Sequence, residues 1–354
     1  MDRALSAPGK LFVSGEYAVL WGGVARIVAV GPRVPALCRR RTDRRVELVL
    51  EGGRLGGEAT PAGVLWDRPI DEPFHFVAHA VDLALRAIGR ETTGFTIAFG
   101  ASPTSDGKKL GLGSSARAAV LASEGARWAC EAAFDPLKLA LVAHTEAQGG
   151  KGSGGDVAAA FAGGLVRYRR FEVGGLIEAS LRGALGTALG QAPAVDVLRL
   201  PRPKLPMLYA FSGKSASTVA LVKTVEARWT QHQRAAFVCS SDALGDAMEQ
   251  GLCRGDFAVV KGAASELKRL LVELGSPEDS PLDRLLAIAE GLGCTGKQSG
   301  AGGGDGCLLI APDRDAAERL LGAYHCRGIA SAAIGWEEGL RAEPQASAPL
   351  LQWV

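Results

Sequence analysis

The sequence predicts a protein of mixed α-helices and β-strands in two domains that divide near residue 200. Its 354 residues are enough for two domains, at about 100–200 residues a domain. Strand and helix patterns alternate in both halves of the chain, as expected of a mixed α and β fold. The proline-rich segment Pro201–Pro206 lies between the halves and is the best candidate for a linker.

The first half begins with a strand, a turn and a second strand, and continues into helices. Apolar residues recur at helical spacing from Phe74 to Ile88. Asp135 before Pro136 forms an N-cap with proline at the first helical position, so we expect a helix from there to about Gln148. The glycine pairs at 52–53 and 56–57 predict turns. The other expected elements are strands over Ser6–Val13, Val24–Val30, Val46–Leu50 and Thr93–Phe99 and an alanine-rich helix over about Ser115–Ala133.

The second half repeats the alternation with longer helices. A strand is expected directly after the proline-rich segment, and two more strands close the chain on either side of a helix. The predicted strands are Met207–Phe211, Cys307–Ala311 and Ile329–Trp336, and the predicted helices lie near 215–230, 233–251, 256–274, 281–292 and 315–326.

Charge and composition exclude several classes of protein. With 40 Lys and Arg against 38 Asp and Glu, a net charge of +2 and 6% aromatic residues, the chain lacks the basic and aromatic surface of a nucleic-acid binder. No stretch reaches the roughly 18 uninterrupted apolar residues of a membrane span, and the first residues lack a signal-peptide pattern. The one dense basic cluster, Arg39–Arg45, indicates a solvated hairpin rather than a phosphate or partner contact. Seven cysteines without metal or disulfide spacing indicate reduced thiols, so we expect a cytoplasmic protein.

Glycine is the unusual feature of the composition, and its positions are informative. The chain has 47 glycines in 354 residues, about twice the usual share of roughly 7%. Nearly half of them fall in four windows at 9–23, 107–113, 149–164 and 291–306. Because glycine has no Cβ and tolerates positive φ, such windows let backbone N–H groups approach an anion closely.

The second window carries the clearest sign of a phosphate site. Gly111–Ala116 leads directly into the alanine-rich helix, so the free N–H groups and positive dipole end of that helix face the loop. The hydroxyls of Ser114 and Ser115 could cap the helix or bind a phosphate-bound Mg²⁺. A cap accounts for one serine but not for the glycines before it. The spacing matches neither a Walker A loop nor a Rossmann fingerprint.

The first window contains a lysine, and the fourth is a second glycine-rich loop. Lys10 lies in an apolar strand, where a lysine usually extends outward to solvent, but beside a glycine-lined site it could neutralise a phosphate. The segment 300–306 holds five glycines, more than a hairpin needs. We expect its backbone to pack against a ligand or against the second window.

These segments, in this order, resemble the GHMP kinase superfamily. The matching residues are Ala7–Lys10 with Ser14–Tyr17, then Gly111–Ala116, then Ser299–Gly304. The resemblance implies a small-molecule kinase that uses ATP and Mg²⁺ and has an α+β, two-domain fold. An N-terminal domain over 1–200 would carry the phosphate loop, a ferredoxin-like domain would cover 201–354, and the active site would lie in the cleft between them.

The third window distinguishes among members of the superfamily. Glu146–Ala160 and Ser212–Thr218 are similar to the phosphomevalonate kinase family, which implies phosphorylation of 5-phosphomevalonate to 5-diphosphomevalonate. A mevalonate kinase would show Gly-Asn-Pro-Ser-Gly at the third window, and it remains the alternative, followed by diphosphomevalonate decarboxylase. From another class, a catalytically silent sensor with this fold is a further alternative.

The resemblance also implies roles for individual residues. Asp156 would be a base or orient the acceptor, although it could also be a plain helix N-cap. Lys10 would stabilise the transferring group and contact substrate. Glu146 would bind Mg²⁺ together with Ser114 and Ser115. The nucleotide would lie on Gly111, Leu112, Gly113, Ser114, Ser115 and Ala116.

A phosphorylated acceptor needs further cations and N–H donors. Lys151 and Lys214 lie in glycine- and serine-rich loops, where an exposed loop lysine is the alternative interpretation. The substrate-binding residues expected from these loops and from the matching motifs are Lys10, Ser14, Tyr17, Lys151, Ser153, Gly154, Lys214, Ser215, Ser217, Ala301 and Gly302. The partner is thus a phosphorylated small molecule, and the protein is expected to be a monomer or a homodimer.

Overall fold

The structure is a computed structural model, and it describes residues 2–105, 107–214, 225, 228–275, 281–300, 302, 304–345 and 348–351. The strands are β1 (Asp2–Ser14), β2 (Val24–Arg40), β3 (Arg45–Leu50), β4 (Gly53–Thr60), β5 (Gly63–Trp66), β6 (Phe95–Phe99), β7 (Thr104–Ser105), β8 (Lys108–Lys109), β9 (Leu165–Arg169), β10 (Val197–Leu200), β11 (Met207–Phe211), β12 (Thr295–Ser299), β13 (Gly306–Ile310), β14 (Ser331–Ala333) and β15 (Arg341–Glu343). The helices are α1 (His75–Ile88), α2 (Ser114–Ala129), α3 (Pro136–Ala147), α4 (Gly155–Ala162), α5 (Gly174–Leu181), α6 (Leu185–Gln191), α7 (Gln231–Arg254), α8 (Phe257–Leu274), α9 (Pro281–Gly291), α10 (Arg314–His325) and α11 (Ala348–Leu351).

The first half of the chain forms a large sheet covered on one face by helices. The strand order is β10-β9-β2-β6-β3-β4-β5, and β1 pairs antiparallel with β2 along almost its whole length. Helices α1 to α4 pack on this sheet around a core that includes Ile27, Leu48, Val81, Leu121 and Leu141, all at most 1% exposed. Each such buried aliphatic side chain stabilises the fold by about 1.5–3 kcal/mol.

The second half forms a four-stranded antiparallel sheet of order β12-β13-β11-β14. Numbered within this half, the strand order is 2-3-1-4, which read from the other edge is the 4-1-3-2 arrangement of a ferredoxin-like domain. This confirms the predicted fold of the second half. Alternation along β1 places Phe12 in the first core and Leu11 in a second core, which also contains Tyr209, Met248 and Leu308. The two halves therefore share apolar packing.

The chain returns to the first sheet after β14. Strand β15 pairs antiparallel with β1, from Ala4 opposite Glu343 to Ser6 opposite Arg341. A Cβ on Gly163 would lie 2.5 Å from the Glu338 carbonyl carbon, so glycine is needed where this returning segment crosses the end of α4. The division at residue 200 remains a prediction, but residues 338–343 lie against the N-terminal half.

Most predicted elements are confirmed, and the glycine pairs are the main error. Asp135 caps α3 by accepting from the N–H groups of Leu137 and Lys138, as the Asp-Pro pair predicted. The turns expected at 52–53 and 56–57 are wrong for the second pair, because β4 runs straight through it. A Cβ on Gly56 would collide with the Arg45 guanidinium, so this glycine makes room for an ion pair across the strand. The helix expected near 215–230 lies largely outside the described residues.

The basic cluster at 39–45 is neutralised by neighbouring carboxylates and partly exposed to solvent, as expected. The expected hairpin is wrong, because β6 lies between β2 and β3 in the sheet. Each arginine is part of an ion pair, and the pairs are Arg39–Asp2, Arg40–Glu131, Arg41–Asp43, Arg44–Glu91 and Arg45–Asp67. Within the residues that the structure describes, no helix has both the length and the apolar character needed to cross a membrane.

Candidate active site

Strand β1 presents Lys10 to the site through an irregular stretch of sheet. Its register with β2 shifts between Ala7 and Gly9 and again between Phe12 and Ser14, on either side of the lysine. Such bulges re-aim a side chain. A Cβ on Gly9 would lie 2.9 Å from the carbonyl oxygen of Leu112, so glycine there lets the phosphate loop approach the strand. The N–H of Lys10 donates to that same oxygen at 3.1 Å.

The phosphate loop enters helix α2 through glycines in the left-handed region. Gly111 has φ +71° and Gly113 has φ +76°, and Gly113 is the N-cap of α2. The N-cap is therefore not a serine, and no side chain caps this helix end. The interpretation of Ser114 or Ser115 as a plain cap fails, and the first N–H groups of α2 are available to a ligand.

Lys10 and Asp156 both approach the same face of Gly113. A Cβ on this glycine would be 3.2 Å from Lys10 Cγ and 3.8 Å from Asp156 Cβ. The ammonium group of Lys10 donates to the Gly111 carbonyl at 3.3 Å and lies 5.7 Å from the centre of the Phe12 ring. The two residues expected to be catalytic thus meet at the phosphate loop.

Helix α4 carries Asp156 in its first turn. The N-cap is Gly154, at φ +73°, so Asp156 is not the N-cap, and its Oδ1 accepts from the N–H of Val157 at 3.0 Å. The Tyr168 hydroxyl donates to the Ser153 carbonyl at 2.9 Å, and a Cβ on Gly154 would lie 2.8 Å from that hydroxyl. The third glycine window is therefore shaped by its contacts with strand β9.

His144 joins two of the predicted site residues, and the sequence analysis did not single it out. Its Nε2 lies 3.1 Å from Ser115 Oγ and 3.7 Å from Asp156 Oδ2, and the side chain is 1% exposed. The available signal was a polar residue in a helix that is otherwise apolar from Leu139 to Ala143.

Glu146 extends from the end of α3 toward α1. Its Oε2 lies 3.3 Å from Nε2 of His79, and neither atom makes a hydrogen bond to a described residue although both are buried. A carboxylate oxygen in this condition can accept a cation, and hydroxyl and carboxylate oxygens are the donors that Mg²⁺ prefers. Among the described residues, no group of three His, Cys, Asp or Glu side chains forms a metal cluster.

The fourth glycine window packs against the second, as expected. A Cβ on Gly111 would lie 2.5 Å from Cγ of Asp305, so the two loops are in direct contact. Ser299 Oγ, at the end of β12, accepts from the Phe12 N–H at 2.7 Å. The three segments that suggested the superfamily are thus assembled at one place.

The C-terminal domain also reaches the phosphate loop through β11. The Tyr209 hydroxyl donates to the Leu110 carbonyl, and burial raises its pKa. The Lys214 carbonyl accepts from the Asp305 N–H at 2.6 Å, which ties the backbone of the Ser212–Lys214 loop to the fourth window. The side chain of Lys214 is exposed.

A buried ion pair, which the sequence did not reveal, links the turn after β1 to strand β12. Lys297 of β12 donates to the carboxylate of Glu16, with side-chain exposures of 0% and 3%. Lys297 also donates to the Gln298 carbonyl at 2.7 Å. This pair joins the turn after β1 to the C-terminal sheet.

The remaining predicted residues differ in their surroundings. Ser14 is fully buried, and a Cβ on Gly245 of α7 would lie 2.7 Å from its Oγ. Tyr17 lies in an apolar cluster with Phe237, and burial raises its pKa to about 12. Lys151 is exposed, Ser153 is partly buried and Gly302 is buried. Ser215, Ser217 and Ala301 lie outside the described residues.

Comparison with known proteins identifies relatives of this chain. A family model described as GHMP kinases C terminal matches residues 248–330. A phosphomevalonate kinase of Streptomyces sp. (strain CL190) is 33% identical over 345 residues, covering 89% of this chain and 91% of that protein. A phosphomevalonate kinase of Saccharolobus solfataricus is 27% identical and covers 96% and 98% of the two chains.

Solved structures show the same fold. The phosphomevalonate kinase of Streptococcus pneumoniae, in complex with phosphomevalonate and AMPPNP, superposes with a TM-score of 0.77 at 22% identity and covers 94% of this chain and 99% of that one. With the curated relative matched over nearly its whole length, these likenesses show that the chain belongs to the phosphomevalonate kinase family of the GHMP kinases.

Proposed function

We propose that the chain transfers the γ-phosphoryl group of ATP to the phosphate of 5-phosphomevalonate, giving 5-diphosphomevalonate and ADP. The observation that carries the proposal is the convergence of Lys10, the glycine loop before α2 and Asp156 around Gly113. Phosphoryl transfer depends mainly on positioning and charge neutralisation, and this arrangement offers N–H groups, a cation and a carboxylate together. The family relationship supports the choice of acceptor.

The reaction depends more on charge neutralisation by Lys10 than on proton removal by Asp156. An oxygen of the acceptor phosphate attacks the γ-phosphorus while the bond to the β,γ-bridging oxygen breaks and ADP leaves. Because a phosphate acceptor is already largely ionised at neutral pH, it needs little deprotonation. Lys10 would offset the negative charge brought together by the two phosphates, and Asp156 would orient the acceptor.

We propose that Ser114, Ser115 and Glu146 hold Mg²⁺ with the nucleotide. All three supply oxygen donors, and the buried Glu146 oxygen lacks a hydrogen bond to any described residue. Bound Mg²⁺ would neutralise charge on the phosphates. Removal of Mg²⁺ with EDTA should abolish turnover, and Glu146→Gln should raise the Mg²⁺ concentration needed for half-maximal rate.

The decisive experiment is an ADP-release assay with three acceptors. We expect turnover with phosphomevalonate and none with mevalonate or diphosphomevalonate. A preference for mevalonate would indicate a mevalonate kinase. Tight ATP binding without turnover on any acceptor would indicate a silent sensor.

Two loop lysines provide a test of the acceptor site. We propose that Lys151 and Lys214 contact the acceptor phosphate, because both are exposed on loops tied to the site. Alanine at either position should raise KM for phosphomevalonate, whereas Lys261→Ala, on an exposed face of α8, should not. A KM that stays within about twofold in both loop variants would remove these contacts from the proposal.

We further propose a cytoplasmic enzyme that acts as a monomer or homodimer. All seven cysteines are free thiols. Burial raises the pKa of Cys38 and of Cys307 to about 12, which keeps both thiols protonated and unreactive. Light scattering after gel filtration would measure the oligomeric state.

A further inference from the structure

His144 occupies a buried position between the phosphate loop and the acidic residue of α4. It lies in the last turn of α3 with 1% of its surface exposed, and its ring packs 5.3 Å from that of Phe76. Its Nε2 is 3.1 Å from Ser115 Oγ and 3.7 Å from Asp156 Oδ2. The amide nitrogen of Gln148 lies 3.5 Å from the same ring nitrogen, at the limit of hydrogen-bond distance. All the polar neighbours of the ring therefore gather at Nε2.

The other ring nitrogen determines which tautomer is stable. Nδ1 of His144 is buried and has no hydrogen-bond partner among the described residues. A buried N–H without an acceptor costs the full desolvation of that group, so the proton belongs on Nε2, where a hydroxyl oxygen and a carboxylate face it. Nε2–H then donates to Ser115 Oγ, with the Asp156 carboxylate close by.

This arrangement places the ring against both partners. Ser115 Oγ accepts a hydrogen bond from the ring, which leaves its own O–H and a lone pair for a nucleotide ligand. One oxygen of Asp156 already accepts from the Val157 N–H at 3.0 Å, and the other lies 3.7 Å from His144 Nε2, so the ring borders the carboxylate without a hydrogen bond to it. A histidine that served only to fill the core would need no polar neighbours at one nitrogen.

We propose that His144 is a positioning residue, which sets the Ser115 hydroxyl and the Asp156 carboxylate relative to each other across helices α2 and α4. The inference rests on the kinase activity proposed above. His144 acts through its Nε2–H and makes no contact with substrate in this arrangement. Outer residues of this kind typically change activity by about 10- to 100-fold when they are removed.

Three substitutions separate positioning from filling space. His144→Gln places an amide near the Nε2 position, His144→Asn places one near the Nδ1 position, and His144→Leu supplies volume without a donor. We expect the asparagine and leucine variants to lose about 10- to 100-fold in kcat, with KM for phosphomevalonate within about twofold, and the glutamine variant to keep most of its kcat. Leu139→Ala, a buried residue of the same helix away from these contacts, should lower Tm without changing kcat. Equal losses in the glutamine and asparagine variants, or a leucine variant within about twofold of wild type, would overturn the proposal.

A second measurement does not depend on turnover or on the variants folding. The ¹⁵N chemical shifts of His144 in the intact protein report its tautomer, and we expect Nε2–H. Finding Nδ1–H would overturn the proposal even in an active enzyme. A wild-type protein that shows Nε2–H but turns over none of the three acceptors would contradict the proposed function, not the placement of His144.

Discussion

Replacing Lys297 by methionine would leave the Glu16 carboxylate buried without its cation. The two side chains are 0% and 3% exposed, so solvent screens neither charge. Removing one partner of such a pair typically costs about 3–5 kcal/mol, because the remaining charge stays desolvated. We expect a loss of this size in the free energy of unfolding, measured by urea denaturation at pH 7.

Two controls make this prediction specific to burial. The double variant Glu16→Gln/Lys297→Met removes both charges, so it should recover most of the lost stability. Arg269→Met breaks an exposed pair with Glu273, whose side chains are 60% and 51% exposed, and should cost far less stability than Lys297→Met. If the single Lys297 variant also loses less than about 1 kcal/mol, or the double variant is no more stable than the single one, the pair is not the cross-domain tie we describe.

Three further predictions address the site and its surroundings. Gly113→Ala should cut kcat by about 10- to 100-fold, because the added Cβ would press on Lys10 Cγ at 3.2 Å. As a control, Gly183→Ala has a similar φ of +70° but open space around it, and it should lower stability without changing kcat. Equal kcat losses in the two variants would contradict the steric argument. Lys10→Met should lower kcat more than Asp156→Asn, and the reverse order in steady-state kinetics would make deprotonation of the acceptor the limiting requirement. Burial also raises the pKa of every tyrosine in the chain, namely Tyr17, Tyr168, Tyr209 and Tyr324. The folded state therefore keeps these phenols protonated. Their contribution to stability should be complete below about pH 10 and lost as pH rises through about 12, the pKa of Tyr17. Phenolate absorbance that reaches half its full value at pH 10 in the native protein would contradict this.

Local patterns were enough to predict the phosphate loop and most helices. The Asp-Pro pair at 135–136 predicts the start of α3 correctly, because capping is decided by residues adjacent in sequence. The glycines at 111 and 113 indicate an anion site for the same reason, since the need for positive φ is local.

Contacts between distant segments could not be predicted in this way. Lys297 and Glu16 are 281 residues apart, and neither is unusual among its sequence neighbours. Gly56 was interpreted as a turn because nothing nearby in sequence shows that Arg45 and Asp67 pair above it. His144 was missed because its partners lie on two other helices. In each case the residue is explained by neighbours in the folded structure that are distant in sequence.

The pairing of β15 with β1 has a consequence for how the enzyme is made. The strand that holds Lys10 gains its second neighbour only from the far end of the chain, where Glu343 accepts from Ser6 across 337 residues. During synthesis on a ribosome, the start of β1 must therefore remain half-paired until residues 341–343 have emerged. Pairing of the first part of the catalytic strand is thereby linked to late synthesis, and a chain interrupted before residue 341 would leave Ala4–Ser6 on an exposed sheet edge. Lys10, further along β1, makes its contact with Leu112 independently of β15.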